Sequence, residues 1–263
     1  MDRITFKEIF GDQKPIIGMV HFWIPSPSFR IAEPNLSLFD FTSYVRKDIE
    51  ALQKGGADGL LFVNESDKPT RNPVDRDVYA WFSLIMGCIM NSVKIPFGIE
   101  VLNDHIAGLD LASIFGAKFV RGSFLKQISN SENLMHPKYT RWDTYQEKNA
   151  QLGVYANLKF DTLSETESEI GNEINKNIVP IDVSGISLSG LDVSSCKRIY
   201  SQFKSLNPTK DLILGSGVNL QNAKILNDSS DGLIIGSSFK KNGIITNEVD
   251  INRVKELIAS SRK

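Results

Sequence analysis

The chain is poor in the residues that usually announce a chemistry. Its 263 residues include two cysteines and three histidines. Cys88 and Cys196 stand in no CxxC or Cys/His spacing, which makes them free thiols of a reducing compartment rather than a disulfide or a metal site. His21, His105 and His136 show no paired ligand spacing, so no zinc centre is expected. The formal net charge is −1. That argues against broad electrostatic binding to nucleic acid or anionic membranes, though a local anion site is compatible with it. The most apolar stretch, Trp81 to Met90, is too short and interrupted to cross a bilayer. Met1 to Lys7 lacks the apolar core of a signal peptide, so a cytoplasmic protein is expected. There is no GxxxxGK[ST] phosphate loop and no early GxGxxG. No Pro/Gly/Ser linker divides the chain, so one domain over 1–263 is expected.

What is present is an alternation of strand-like and helix-like segments. Hydrophobic residues make up 41% of the chain, enough for a large core. Short apolar runs read as buried parallel strands at Ile16–Val20, Asp58–Val63, Phe97–Val101, Lys118–Arg121, Val154–Lys159, Val183–Ser189, Leu212–Leu214 and Leu233–Ile235. Helical patterns lie between them, at Leu36–Lys54, Pro73–Ser92, Asp104–Phe115, Arg141–Leu152, Ser164–Asn175, Asp192–Phe203 and Asn219–Leu226. Asp250–Ser260 closes the chain as another helix. Eight βα units in series predict an α/β fold, a single (β/α)8 TIM barrel, with a doubly wound open sheet as the alternative. A polar segment from Gly122 to Thr140 exceeds an ordinary loop and reads as a lid.

Two turns near the C-terminus carry most of the functional information. Leu212-Ile-Leu-Gly-Ser-Gly-Val218 and Asp231-Gly-Leu-Ile-Ile-Gly-Ser-Ser-Phe239 are apolar runs ending in small residues. Amides in such turns form an anion site. After the seventh and eighth strands they predict a phosphate-binding cup made by Gly215, Ser216, Gly217, Gly236, Ser237 and Ser238. Lys240 and Lys241 follow, either to hold the phosphate or to form a solvated face.

These residues also carry a family likeness. Lys14-Pro-Ile-Ile-Gly-Met-Val-His21, Gly56-Ala-Asp-Gly59 and the ending Ile234-Ile-Gly-Ser-Ser-Phe-Lys-Lys-Asn-Gly243 resemble the BtpA/SgcQ family of TIM-barrel proteins, and the likeness runs end to end. The family name refers to photosystem I biogenesis, and some members carry a nucleoside triphosphatase label that the missing phosphate loop does not support here. The chain departs from the family pattern in places. Val63-Asn64 stands where Glu-Asn is usual, with Asp67 retained. Glu100-Val-Leu-Asn-Asp104 is one residue short. Gly122-Ser123 replaces Val-Asn after Arg121, and Lys159-Phe-Asp161 replaces Lys-His. Either the substrate differs or activity has been lost.

In a TIM barrel the ligand lies at the C-terminal strand ends. The polar residues there are His21, Asn64, Asp67, Glu100, Asp104, Arg121, Asn157, Lys159, Asp161 and Ser189. Glu100, Arg121, Lys159, His21 and Asn64 are the catalytic candidates. Strand alternation puts Gly98 with Glu100, Phe119 with Arg121, and Tyr155 with Asn157 and Lys159. If those faces point inward, a carboxylate, a guanidinium and an ammonium converge, a set able to move a proton and steady an oxyanion. Glu100 and Arg121 could equally pair as barrel core, and His21 could be a core histidine. No metal or other cofactor is expected, with magnesium on Glu100, Asp67 or Asp104 left open. The expected partner is a small phosphorylated metabolite (a sugar or nucleoside phosphate), acted on by lyase, isomerase or hydrolase chemistry. The alternative is a non-catalytic barrel serving as an assembly factor or ligand sensor. Nucleic acid is not an expected partner, and a homo-oligomer is compatible with the reading.

Overall fold

Parallel strands close on themselves in this protein. In the computed structural model, which describes residues 3–23, 37–65, 73–102, 104–122, 151–159, 183–189 and 193–263, β1 (Ile16–Phe22), β2 (Gly59–Asn64), β3 (Phe97–Glu100), β4 (Phe119–Gly122), β5 (Gly153–Lys159), β6 (Gly185–Ser189), β7 (Asp211–Gly215) and β8 (Gly232–Ile235) pair in sequence order, and β8 pairs with β1. Ile17 sits opposite both Gly59 of β2 and Ile234 of β8. The closed barrel excludes the open doubly wound sheet and removes every strand edge. The segments expected as a lid and as helices over 123–150 and 164–175 lie outside the described residues.

Alternation along each strand sorts the side chains into two cores. The outward set, including Val20, Phe62, Ile99, Val120, Val154, Ile186, Leu212 and Leu233, packs under the helical layer. That layer includes α2 (Leu38–Gly55), α3 (Arg76–Ile89), α4 (His105–Phe115), α5 (Val193–Leu206), α6 (Ala223–Asp228) and α7 (Ile251–Ser261). Cys88 on α3 and Cys196 on α5 are free thiols, and no described helix is long and apolar enough to cross a membrane. The inward set, Ile17, Leu61, Phe119, Tyr155, Ile213 and Ile234, fills the lower half of the lumen. Gly98 is required there. A Cβ at that position would stand 2.2 Å from the Phe119 ring, so glycine on β3 is what admits the bulky side chain of β4.

A short helix that the sequence reading did not anticipate, α1 (Phe6–Phe10), stoppers the barrel at the N-terminal ends of its strands. Phe6 packs at 4.4 Å from the Tyr155 ring and 5.1 Å from the Phe119 ring. Asp211, the first residue of β7, accepts hydrogen bonds from the Phe6 amide at 2.6 Å and the Tyr155 hydroxyl at 2.7 Å. This closes the lower mouth with a polar latch inside an aromatic plug. The C-terminal strand ends lie at the opposite end of the barrel.

The latch makes stability depend on pH. Burial pushes the Asp211 carboxyl up to about 6, against the opposing pull of the Phe6 amide and the Tyr155 hydroxyl. Between an ordinary carboxyl value near 4 and that raised value, the native protein holds a proton the unfolded chain has released. Stability from this group is therefore greatest at the acid side and falls as pH rises through the window, by at most about 3 kcal/mol. Urea unfolding of the natural protein and of Asp211→Asn across that range should show the natural protein losing ground to the variant as pH rises. A pH-independent difference would contradict this assignment.

Candidate functional site

The upper half of the lumen is polar where the lower half is aromatic. Glu100 ends β3, Arg121 lies on β4 and Asn157 on β5, each inward by alternation with Gly98, Phe119 and Tyr155. Arg121 Nη1 donates to Glu100 Oε2 at 3.0 Å, and Nη2 donates to Asn157 Oδ1 at 2.9 Å. Asn157 Nδ2 in turn donates to Glu100 Oε1 at 3.4 Å. Glu100 is 2% and Arg121 8% exposed. Burial raises the Glu100 carboxyl above the ordinary range, the Arg121 guanidinium pulls it back down, and the Glu65 charge pushes it further up. Glu100 and Arg121 thus pair inside the barrel. Asn157 proves to be the third member of the cluster.

Arg121 also reaches the seventh-strand turn. A Cβ on Gly215 would lie 3.8 Å from Arg121 Nη2 and 3.7 Å from Ser187 Oγ. Ser187, on β6 in register with Asn157, is fully buried, and its hydroxyl has no hydrogen-bond partner among the described residues. Sequence reasoning named Ser189 at the end of this strand and passed over Ser187. The signal was available, because Ser187 shares the inward face with its register neighbours.

Beyond Gly215 the chain turns sharply. Ser216 and Gly217 have φ of 72° and 73°, two consecutive residues in the left-handed region, a conformation that glycine accepts freely and serine rarely adopts. Asn222 Nδ2 donates to Gly217 O at 2.9 Å, bracing the turn from the start of α6. The eighth-strand turn lies beside it, as Gly236 leads into a 3-10 turn at Ser237–Phe239. The Ser238 hydroxyl donates to Val218 O and ties the two turns together. Among the described residues, none accepts a hydrogen bond from the amides of Ser216, Gly217, Ser237 or Ser238.

His21, near the end of β1, is inward and 1% exposed. Gly236 makes room for it, since a Cβ there would lie 3.3 Å from His21 Cε1 and 3.4 Å from Nε2. Burial, aided by the Lys240 ammonium, lowers the imidazole to about 3. It is neutral at physiological pH, and its Nδ1 has no partner among the described residues.

Other candidates are placed elsewhere. Asn64 shares the outward face of β2 with Leu60 and Phe62, and its Oδ1 accepts from the Leu102 amide at 2.7 Å. It braces the loop after β3 and does not join the lumen cluster. Asp104 is the N-cap of α4, accepting from the amides of Ala107 and Val74, each at 3.0 Å. The Lys159 backbone pairs with Ser189 in the sheet, while its side chain, like Asp67 and Asp161, lies outside the described residues. Among the described residues, no three of His, Cys, Asp and Glu group as a metal site.

Lys240 corrects both sequence expectations made for it. It is completely buried and pairs with Asp48 of α2; its ammonium also lies 5.7 Å from the centre of the Tyr44 ring. Asp48 also accepts from the Val249 amide at 2.6 Å. Burial pushes both members of the pair toward neutrality, and their mutual attraction opposes it. Lys240 therefore fastens the chain after β8 to the helical layer instead of holding an anion or facing water. Lys241 is the solvated one, paired with Glu248 at 2.7 Å.

With the geometry in place, the chain can be set beside known proteins. Residues 12–263 match the BtpA family. The chain is 29% identical to the sgc region protein SgcQ of Escherichia coli K12, with 96% of each chain covered. It is 28% identical to the photosystem I biogenesis protein BtpA of Synechocystis, covering 95% of this chain and 89% of that one. Among solved structures, tryptophan synthase from M. tuberculosis superposes with a TM-score of 0.58 at 12% identity over 96% of this chain and 94% of its own, a likeness of fold.

The Lys240–Asp48 pair supplies a test of its structural role. Lys240→Met leaves a buried carboxylate without its counter-charge, and unfolding free energy should drop by about 3–5 kcal/mol in urea titration. Lys240→Met combined with Asp48→Leu should recover part of that loss. A loss below about 1 kcal/mol in the single variant would mean the pair is not the fastener described.

Proposed function

The chain belongs to the BtpA family, and from that membership and the geometry of its barrel mouth we propose that it is an enzyme acting on a small phosphorylated metabolite. The observation that carries this reading is the nearness of the two halves of the mouth. The Arg121 guanidinium, already on Glu100, adjoins the Gly215 turn. The amides of Ser216, Gly217, Ser237 and Ser238 supply converging donors for a phosphate, as backbone nests do. Gly215 and Gly236 keep side chains out of its way. The phosphate fixes one end of the substrate and brings the adjoining carbons over the cluster.

There Glu100 acts as general base. Its burial raises its basicity, and Asn157 and Arg121 orient both of its oxygens. A proton taken from a carbon next to a carbonyl leaves negative charge on the carbonyl oxygen, which the Arg121 guanidinium neutralises. Neutral His21, beside Gly236, offers a hydrogen bond without adding charge. This chemistry fits an isomerase or a lyase.

A second reading is supported by the same network. Both Glu100 oxygens already accept hydrogen bonds, as in a barrel core that only binds. The relative named for photosystem I biogenesis is then the nearer guide, and the protein is a ligand-responsive assembly factor. A screen of phosphorylated metabolites for turnover separates the two. On the enzyme reading, Glu100→Gln lowers kcat by about 10²–10⁴ while ligand binding persists, and activity in the natural protein falls as pH drops through the raised Glu100 value. Binding without turnover for every ligand found supports the second reading.

The cup has its own test. The space at Gly215 offers only ordinary contacts, at 3.6–3.8 Å, so Gly215→Asp should fold and place a carboxylate beside Arg121 and the turn. Thermal stabilisation by inorganic phosphate should appear in the natural protein and vanish in this variant. Equal stabilisation of the two would remove the phosphate from this position.

A further inference from the structure

We propose that Ser187 and Arg121 form an oxygen-binding subsite beside the Gly215 turn, which makes the ligand a phosphate monoester bearing a hydroxyl or carbonyl oxygen two or three bonds from its ester oxygen, as in short-chain sugar phosphates. The inference rests on the phosphate cup proposed above and narrows its ligand.

Three observations converge on one point. Ser187 is fully buried on the inward face of β6, and its Oγ has no partner among the described residues. Arg121 spends Nη1 on Glu100 and one N–H of Nη2 on Asn157, and Nη2 carries a second N–H. The two residues face a common gap, because the missing Gly215 side chain would stand 3.7 Å from Ser187 Oγ and 3.8 Å from Arg121 Nη2. A buried hydroxyl left unpaired is costly, so such a group normally has a partner. The guanidinium has only N–H donors, whereas the hydroxyl both donates and accepts. The group that suits both is an oxygen: a carbonyl accepting from both residues, or a hydroxyl accepting from Arg121 and donating to Ser187.

Proximity to the cup sets the spacing. Ser216 follows Gly215 directly, and consecutive Cα atoms are about 3.8 Å apart. A phosphorus atom held on the Ser216 and Gly217 amides then lies within about 4–7 Å of the gap, on the same Cα spacing. That span fits two or three bonds of carbon chain and no more.

The experiment is equilibrium binding to the full chain, with inorganic phosphate, methyl phosphate, glycerol 3-phosphate and glycolaldehyde phosphate as probes. The natural protein should bind all four, the two oxygenated esters about tenfold tighter than methyl phosphate, the worth of one good hydrogen bond. Ser187→Ala should bind phosphate and methyl phosphate unchanged and lose that tenfold preference; Ser187→Thr, which keeps the hydroxyl, should retain most of it. If the natural protein binds neither phosphate nor methyl phosphate, the cup is wrong and the subsite falls with it. If both bind but the oxygenated esters gain nothing, or if Ser187→Ala keeps the preference, the cup stands and the subsite alone is overturned.

Discussion

A guanidinium and a carboxylate held 3.0 Å apart inside a closed barrel set the terms for everything around them. Neither charge tolerates removal from water without the other, and the pair survives burial only where its remaining donors and acceptors are met. Asn157 answers part of that demand by bridging both partners. The barrel supplies the rest by rigidity. β3, β4 and β5 are neighbours in the closed order, so three residues distant in sequence are presented from one wall at fixed spacing. The aromatic layer beneath leaves no room for the pair to sink, and the α1 plug seals the lower mouth behind it.

The glycines of the lumen belong to the same design. Gly98 yields space to Phe119 below, while Gly215 leaves a gap beside Ser187 and Arg121 and Gly236 yields space to His21 above. The polar half of the lumen is therefore shaped by absent side chains as much as by present ones. The turns that follow are stiffened from outside, by Asn222 on one and by the Ser238 hydroxyl between the two. Lys240 continues this bracing one layer out, through its buried bond to Asp48. Lys240, which reads as a ligand-binding group from its place after β8, turns out to brace the chain beside these turns.

Legibility from sequence followed the range of the interaction. The alternation of Gly98 with Glu100 and of Phe119 with Arg121 is a period-two pattern, and it placed both charges correctly on the inward face. Asn64 reads as a catalytic candidate from its place at a strand end, but it stands on the opposite phase of β2, and its contact with the Leu102 amide comes from another loop. Phe6, Ile9 and Phe10 carry a helical spacing, but five residues form no stable helix alone; only the open bottom of the barrel gives them a partner. Lys240 sits beside a solvent-facing lysine and reads like one, and what buries it is a carboxylate 192 positions earlier.

The sequence by itself determined the order of strands, the barrel they form, the family they belong to and the two glycine turns, because each is written in local periodicity or in short contiguous motifs. Tertiary structure decided which polar groups meet. Arg121 binds both Glu100 and Asn157 and approaches the end of β7, Ser187 is buried without a partner among the described residues, and Lys240 is bound to Asp48. The physical reason is that charge pairing and desolvation act through space at a few ångströms. Barrel closure sets those distances between residues that the chain keeps far apart.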